Sequence, residues 1–163
     1  MAEYWNVNPD YEISAKSFLA DKPEADVSLE FEIAVKDFVN AGKGSAEVKN
    51  TLKRLGVDPA ILRRIAVASY EAEINVTAHS EGGKMYSYIY DDSVYIRFED
   101  KGPGISNIEQ AMVPGWSTAD DLVREMGFGA GLGLPNIQKN SDLLHITSEY
   151  GSTTTLEIII YYS

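Results

Sequence analysis

The amino-acid sequence predicts a two-layer α/β sandwich, in which one sheet is covered by helices. Residues 27–35, VSLEFEIAV, alternate apolar and polar side chains as a half-buried strand does. Residues 59–80 instead place small and apolar side chains three and four positions apart, which predicts a long helix with one buried stripe. Strand-like segments follow this helix. The 163 residues, 44% of them hydrophobic, suffice for one well-buried core, so we expect a single sandwich.

The charge balance and the absence of cysteine exclude several classes of function. The chain has 14 basic and 25 acidic residues, a formal charge of −11, which repels nucleic acid and anionic membranes. A nucleotide is expected to bind only where local N–H donors and a divalent cation overcome that charge. Without cysteine there is no disulfide, no thiolate metal site and no cysteine nucleophile. The N-terminus lacks the basic start and apolar stretch of a secretion signal, and no run of about 18 apolar residues occurs, which predicts a cytoplasmic protein.

The N-terminal segment, residues 1–26, mixes aromatic residues with Asn, Asp, Lys and Pro and has no clean period. We therefore predict an arm of unassigned role, followed by one domain over residues 27–163. Ser45, in the turn AGKGS, is the expected N-cap of a first helix that runs to about Leu55. The Gly-Lys pair of that turn does not indicate a phosphate loop, because Gly44 stands where such a loop needs Ser or Thr.

The second helix is expected to begin at Pro59, with Asp58 as its N-cap. Two hairpins follow, one joining KMYSYIY to SVYIRFE at Asp91 and Asp92, and one joining LLHITSEY to TTTLEIIIYY around Gly151. The buried stripe of the second helix consists of five small or apolar residues, Leu62, Ile65, Ser69, Ala72 and Val76.

Three polar residues share one face of this second helix. Glu71, Asn75 and His79 are four residues apart and lie beside the buried stripe. A carboxylate and an amide at the edge of the core can orient a hydroxyl or a water and hold Mg2+, which prefers oxygen ligands. The same spacing is ordinary on a solvated helix face, and His79 alone is more typical of a helix end than of a ligand set. The spacing alone therefore does not distinguish a catalytic site from a solvated helix face.

A second polar cluster, FEDKGPGI, follows directly after a strand. Asp100 is a carboxylate at the strand end, and Gly102 and Gly104 leave backbone that a flat ring can approach closely. A carboxylate accepts hydrogen bonds, so it suits the exocyclic amine of adenine better than a phosphate. A tight turn is the alternative interpretation of the same residues.

The third cluster is GFGAGLGLPN, residues 127–136, which has glycine at every second position before a helix predicted over residues 133–141. Such a segment can turn successive N–H groups toward one anion, as in a lid over phosphates. A flexible linker is the alternative. A nicotinamide-binding motif is rejected, because it requires glycines in the pattern G-x-G-x-x-G directly after a strand, and Leu132 stands in the way.

The order of the three clusters is more specific than any one of them: E-x-x-x-N on a helix, D-x-G-x-G after a strand, and G-x-G-x-G before a helix. In this order the chain resembles the GHKL, or Bergerat-fold, ATPases. Within them it is most similar to the small bacterial anti-sigma-factor serine/threonine kinases and stress-module switch kinases. The resemblance covers residues 27–162 and implies a mixed sheet with helices on one face, and ATP or ADP with Mg2+ as ligands.

The resemblance also assigns roles to residues. It makes Glu71 the general base that polarises the attacking hydroxyl, and Asn75 the ligand of the Mg2+ that bridges the ATP phosphates. Asp100 would accept from the adenine amine, and Thr154 would lie beside an adenine-bound water. The remaining nucleotide-binding residues, which let backbone approach the base or the phosphates, are Gly102, Gly104, Gly127, Gly129, Gly131, Leu132 and Gly133.

Two positions depart from the family pattern. The arginine that such kinases often carry shortly before the last G-x-G is Gly129 here, and we expect Arg124 to offset the phosphate charge instead. The glycine that usually precedes the last threonine is Thr153, which leaves the backbone approach at that place open. Neither departure involves Glu71 or Asn75, so we expect phosphoryl transfer to be retained better than the affinity for ATP.

The leading hypothesis is a protein serine/threonine kinase that transfers the γ-phosphoryl group of MgATP to a small antagonist protein of the STAS type. The alternative is a nucleotide-gated module that sequesters a sigma factor or another regulator without phosphoryl transfer. A histidine-kinase fragment is disfavoured, because no dimerisation helix pair with a phospho-acceptor histidine precedes the nucleotide motifs. The sequence names no partner and leaves open whether two copies of the chain form a homodimer.

Overall fold

The computed structural model of the chain describes residues 2–102, 104, 108, 112–113, 133–149 and 151–163, with only the backbone of His79. A short 3-10 turn, Pro9–Tyr11, joins the first two elements. In chain order the elements are β1 (Ala2–Val7), α1 (Glu12–Ala20), β2 (Val27–Ile33), α2 (Lys43–Arg54), α3 (Pro59–His79), β3 (Gly83–Ile89), β4 (Ser93–Lys101), α4 (Gly133–Lys139), β5 (Leu143–Ser148) and β6 (Thr153–Tyr161).

The strands form one six-stranded sheet in the order β1-β5-β6-β4-β3-β2. Both predicted hairpins are confirmed, β3 with β4 and β5 with β6. The predicted mixed sheet is wrong, because each strand pairing in the described residues is antiparallel. In the two hairpins a tight turn reverses the chain and so forces the antiparallel arrangement, whereas a parallel pair needs a long crossover to return the chain to the same end.

Helices α2, α3 and α4 cover one face of the sheet, called the inner face here, and enclose the main core. The helix stripe predicted from the sequence is confirmed, since its five residues are at most 6% exposed. The sheet contributes alternate residues of the central strands to this core, among them Val94, Ile96 and Phe98 of β4. Burial of this stripe fixes the rotation of α3 about its axis, and so determines which of its polar residues lie at the core edge.

The start of α3 is as predicted, and the start of α2 is not. The Asp58 carboxylate accepts the Ala60 N–H at 2.8 Å and caps α3. Ser45 was predicted as the cap of α2, but the helix already begins at Lys43, after Gly42 in the left-handed region (φ 95°). The Ser45 hydroxyl donates instead to the Gly42 carbonyl at 3.0 Å. A glycine can take this φ at no steric cost, so the chain enters the helix one turn earlier than the serine suggested.

The N-terminal segment lies against both an edge and a face of the sheet. β1 pairs with β5 over all six of its residues, from Ala2 with Ser148 to Val7 with Leu143. α1 packs on the outer face through Ala15, in a second core cluster that includes Leu143 and Ile159. The helices of the predicted domain, α2, α3 and α4, lie on one face as expected, and α1 of the N-terminal segment covers apolar residues on the outer face. The boundary at residue 27 stays a prediction.

Among the described parts of the chain, no helix combines the length and the apolar character that a membrane span requires.

Candidate functional site

Helix α3 holds the two predicted catalytic and metal-binding residues at the edge of the core. Glu71 and Asn75 are half-buried and one turn apart, beside the fully covered Ala72 and Val76. The packed stripe anchors the backbone of α3, and this fixes the Cα positions of both residues. His79 is the last residue of α3, and its side chain lies outside the described part of the structure.

Glu71 lies next to the first residue of α4. A Cβ atom built on Gly133 would be 3.5 Å from Glu71 Oε2, an ordinary van der Waals contact. The carboxylate thus faces backbone at the end of the glycine-rich segment, although 62 positions separate the two residues in the chain. This contact joins the first and third polar clusters of the sequence.

The far end of α3 meets the second polar cluster. A Cβ on Gly102 would lie 3.1 Å from Ser80 Cα, which follows α3 as its C-cap, so a side chain here would press on backbone. The Gly102 N–H donates to the Ser152 carbonyl at 2.9 Å and ties this strand end to the turn before β6. Gly104 has a φ of 71°, in the left-handed region. Both glycines therefore have conformational or steric reasons to lack side chains.

Asp100 points to the inner face near the end of β4. Burial raises the pKa of this carboxyl to about 6, and the hydrogen bond from the Thr154 N–H lowers it in part. Because desolvation penalises the charged form, the carboxylate gains from a ligand that donates a hydrogen bond to it. Asp100 is therefore chemically suited to bind an amine or amide donor.

Asp100 belongs to a row of directly paired residues that crosses the sheet. Gly83, Asp100, Thr154, Ser148 and Ala2 are neighbours on β3, β4, β6, β5 and β1. The hydroxyl groups of Thr154 and Ser148 are 2.7 Å apart and buried. We call these five residues the Asp100 row. Thr154, predicted from the resemblance, thus lies directly beside Asp100.

Sequence reasoning missed Glu73, which is only 4% exposed. Its carboxylate accepts the backbone N–H groups of Gly42 at 2.8 Å, Ser45 at 2.9 Å and Gly44 at 3.4 Å. It caps α2 from a neighbouring helix, because Gly42 has no side chain to do so. A signal was present in the sequence: Glu73 is four residues after the stripe residue Ser69 and hence on the buried side of α3.

A groove of about 540 Å3 is lined by residues of α2 and α3, and Glu71 is one of them. Lys43 and Lys49 line it on the α2 side, and Tyr70 lines it on the α3 side. Glu71 therefore both lines the groove and lies beside Gly133. The two lysines place positive charge near the carboxylate in a chain that is acidic as a whole.

Five predicted nucleotide-binding residues lie outside the described residues. They are Arg124, Gly127, Gly129, Gly131 and Leu132.

Comparison with known proteins identifies the family, although no family model matches the chain. The chain is 34% identical over 110 residues to an anti-sigma F factor of Clostridium beijerinckii, an alignment that covers 63% of this chain and 73% of that protein. The chain belongs to the anti-sigma-factor kinase family of GHKL type.

A second relative of this anti-sigma-factor kinase is the serine/threonine-protein kinase RsbT of Bacillus subtilis. The identity is 29% over 115 residues, and the alignment covers 68% of this chain and 80% of RsbT. The names of these relatives support the hypothesis of a serine/threonine kinase over that of a nucleotide-gated binding module.

The fold is similar to that of a chain in the solved structure of the SiaB-SiaC complex from Pseudomonas aeruginosa, with a TM-score of 0.55. The match covers 93% of this chain and 97% of the matched one, at 15% sequence identity. At that identity the likeness concerns the fold alone. It supports the two-layer sandwich described for this kinase.

Proposed function

We propose that this protein binds MgATP and transfers its γ-phosphoryl group to a serine or threonine of a small protein of the STAS type. The observation that carries the proposal is that Glu71 Oε2 lies 3.5 Å from the Cβ position of Gly133, which puts a carboxylate beside backbone of the glycine-rich segment. A general base has to lie within hydrogen-bond reach of the hydroxyl it polarises. A phosphate held at that backbone would bring the attacked phosphorus close to this base.

The base of the nucleotide is proposed to bind at the Asp100 row. The desolvated carboxylate of Asp100 would accept from the adenine amine, and Thr154 would lie beside a water bound to the ring. Gly102 and Gly104 would let the backbone close on the flat ring, since neither position has a side chain to obstruct it. Asp100 supports this role as a largely desolvated acceptor, and Gly102 supports it because a side chain there would press on Ser80, so bare backbone is required.

The phosphates are proposed to lie along α3 toward Gly133. Asn75 is one turn beyond Glu71 and offers a neutral amide oxygen to the Mg2+ of the substrate MgATP, an ion that keeps most of its other ligands from phosphates and water. Arg124 would offset phosphate charge. The residues proposed to wrap the phosphates with backbone amides are Gly127, Gly129, Gly131, Leu132 and Gly133.

The reaction is a displacement at the γ-phosphorus. The acceptor hydroxyl oxygen forms a bond to phosphorus, the bond from phosphorus to the β,γ-bridging oxygen breaks, and ADP leaves. Glu71 takes the proton of the hydroxyl. Glu71, Lys43 and Lys49 line the groove between α2 and α3. The acceptor protein would approach Glu71 through this groove, and the two lysines would attract acidic side chains of that protein.

Incubation with γ-labelled ATP, Mg2+ and a recombinant single-domain STAS protein tests this function. We expect label on a serine or threonine of that protein, and a loss of roughly a hundredfold to ten-thousandfold for Glu71→Gln, because the base is removed. Glu47→Gln, an exposed glutamate of α2, is the matched control and should keep full transfer. A stable ATP-dependent complex without covalent label would favour the binding module and contradict the proposal.

A further inference from the structure

Tyr4 connects the N-terminal strand β1 to helix α4. In the register of β1 with β5, Tyr4 lies opposite Ile146, a residue of the main core. Because directly paired residues point to the same side of a sheet, this register turns Tyr4 to the inner face, where its ring packs against the main core. Its hydroxyl donates a hydrogen bond to Oε1 of Gln138 in α4. The function proposed above gives this bond no role.

Helix α4 depends on its neighbours for its position. It has only seven residues, too few for its own backbone hydrogen bonds to hold a helix firmly. Its buried side chains, Leu134 and Ile137, pack in the main core, but apolar contacts are non-directional. A hydrogen bond also restrains an angle. The bond from Tyr4 adds such a restraint at Gln138, roughly 7.5 Å along the helix from Gly133 at 1.5 Å per residue.

The strand that carries Tyr4 is itself anchored to α3. Just after β1, the Asn8 N–H donates to the Asp142 carbonyl at 2.7 Å, and the Asn8 amide donates to the Asp142 carboxylate at 3.2 Å. This carboxylate belongs to a residue that is 2% exposed, and it also accepts from Arg64 of α3 at 3.1 Å and from the Tyr161 N–H at 2.8 Å. The contacts thus form a closed circuit from α3 through β1 and α4 to Glu71, which is again on α3.

We propose that Tyr4 is a positioning residue that holds Gly133 at its distance from Glu71 by fixing α4 against β1. This inference rests on the function proposed above. Without the bond, α4 is free to shift over the core, and the backbone proposed to receive a phosphate moves relative to the carboxylate that takes the proton. A displacement on the order of 1 Å slows such a reaction by up to roughly a hundredfold. The N-terminal segment thereby acts on phosphoryl transfer through α4, without contact with the nucleotide.

The experiment follows one turnover of the full chain, which is saturated with γ-labelled MgATP and then mixed with excess STAS protein and unlabelled ATP. The rate constant reports positioning, whereas the amplitude reports the fraction of active kinase. Tyr4→Phe removes the hydroxyl and keeps the ring, and it should lower the rate constant roughly tenfold at an unchanged amplitude. Tyr11→Phe is the matched control, because Tyr11 is a half-buried tyrosine of the same segment whose hydroxyl donates to the Ser163 carbonyl. It should keep the wild-type rate constant.

Substitutions of Gln138 test whether Tyr4 acts through α4. Gln138→Met removes the acceptor and should lower the rate constant as much as Tyr4→Phe does. Gln138→Glu keeps an acceptor for the hydroxyl and should retain most of the rate. In the Gln138→Met background, Tyr4→Phe should have no further effect, since both changes break the same bond.

The possible results lead to different conclusions. A wild-type chain that labels no STAS protein overturns the proposed function and this inference with it. A wild-type chain that transfers the label, with the same rate constant in Tyr4→Phe, overturns the inference alone, and so does a Tyr4→Phe variant that loses only amplitude. An equal loss of rate with and without Gln138→Met also overturns it, because Tyr4 would then act by another route.

Discussion

The carboxylate of Glu73 on α3 accepts the backbone N–H of Ser45 at 2.9 Å, so the start of one helix is capped by the middle of another. Glu71 and Glu73 are only two residues apart, yet they lie on different sides of α3 because successive residues rotate about the helix axis by roughly 100° each. Glu73 is directed to the α2 start and Glu71 to Gly133 and the groove. Two chemically identical side chains therefore have separate environments.

Substitution of Glu73 should affect stability first. Glu73→Ala leaves three N–H groups at the buried α2 start without their acceptor, and we expect the free energy of unfolding to fall by roughly 2–3 kcal/mol. Urea denaturation measures this change. Glu71→Ala should alter stability by less than about 1 kcal/mol, because its carboxylate is half-exposed. Equal losses in the two variants would contradict the separation of roles.

We expect the largely desolvated carboxyl of Asp100 to make stability and the proposed nucleotide binding oppose each other. Burial raises the pKa of Asp100 from 3.8 to about 6, so between these values the folded protein holds a proton that the unfolded chain has released. The free energy of unfolding therefore decreases as pH rises through this window and levels off above it. Asp100→Asn removes this contribution and should be more stable than the wild type at pH 8, by up to about 3 kcal/mol.

The same variant should bind MgATP more weakly, because an amide accepts less strongly than a carboxylate. Unfolding curves at pH 4, 6 and 8, with MgATP calorimetry at pH 8, test both effects. An Asp100→Asn variant that gains no stability and keeps its affinity would remove Asp100 from the site.

His145 connects the N-terminal strand to the sheet in a pH-dependent manner. Its Nδ1 is 2.7 Å from Glu157 and its Nε2 is 2.9 Å from Glu3 of β1, while its ring stacks on Trp5. Burial lowers the pKa of His145, but the hydrogen bonds to Glu157 and Glu3 raise it more, so the pKa is above its usual 6.5. The stabilisation by the charged imidazole is complete below pH 6.5 and is lost as pH rises through the raised pKa.

Fluorescence of Trp5 can follow this titration in a Trp116→Phe background, since a charged imidazole quenches an indole stacked on it. We expect emission to rise with a midpoint above pH 6.5, and the free energy of unfolding to fall by about 1 kcal/mol or less across it, given solvent screening. His145→Gln should abolish the pH dependence of the Trp5 emission and reduce the fall in the free energy of unfolding above pH 6.5, while the contribution of Asp100 at lower pH remains. A midpoint below 6.5 would show that burial outweighs the two carboxylates.

Gly133 should be replaceable for folding but not for activity. Among the described residues, a Cβ at Gly133 meets only Glu71 Oε2, at 3.5 Å, and alanine favours a helix over glycine by up to about 1 kcal/mol. Gly133→Ala should therefore be at least as stable as the wild type. A methyl group between the carboxylate and the proposed phosphate site should slow transfer roughly tenfold to a hundredfold, because displacements on the order of 1 Å suffice for that.

Lys139→Ala, an exposed residue at the other end of α4, is the control for a general effect of changing this helix. Single-turnover transfer of labelled phosphate to a STAS protein is the measurement. Full activity of Gly133→Ala would argue that the transfer occurs elsewhere than beside Glu71.

Much of the local structure follows from the sequence by itself. The buried stripe of α3, its cap at Asp58 and both hairpins were predicted, because helix period, strand alternation and turn residues act over a few positions. The family was also recognised from the order of three short motifs, and comparison with relatives bears it out. The motifs could be found because each lies within a single short stretch of chain.

Only the tertiary structure decided which distant residues meet. Pairing of β1 with β5 joins positions about 140 apart, and the register of β4, β6 and β5 brings Asp100, Thr154 and Ser148 into one row. The cap of α2 comes from Glu73 on another helix, where the sequence suggested Ser45. These contacts depend on strand register and on how helices pack over the sheet, and both are set by burial of the whole core, which no local pattern encodes.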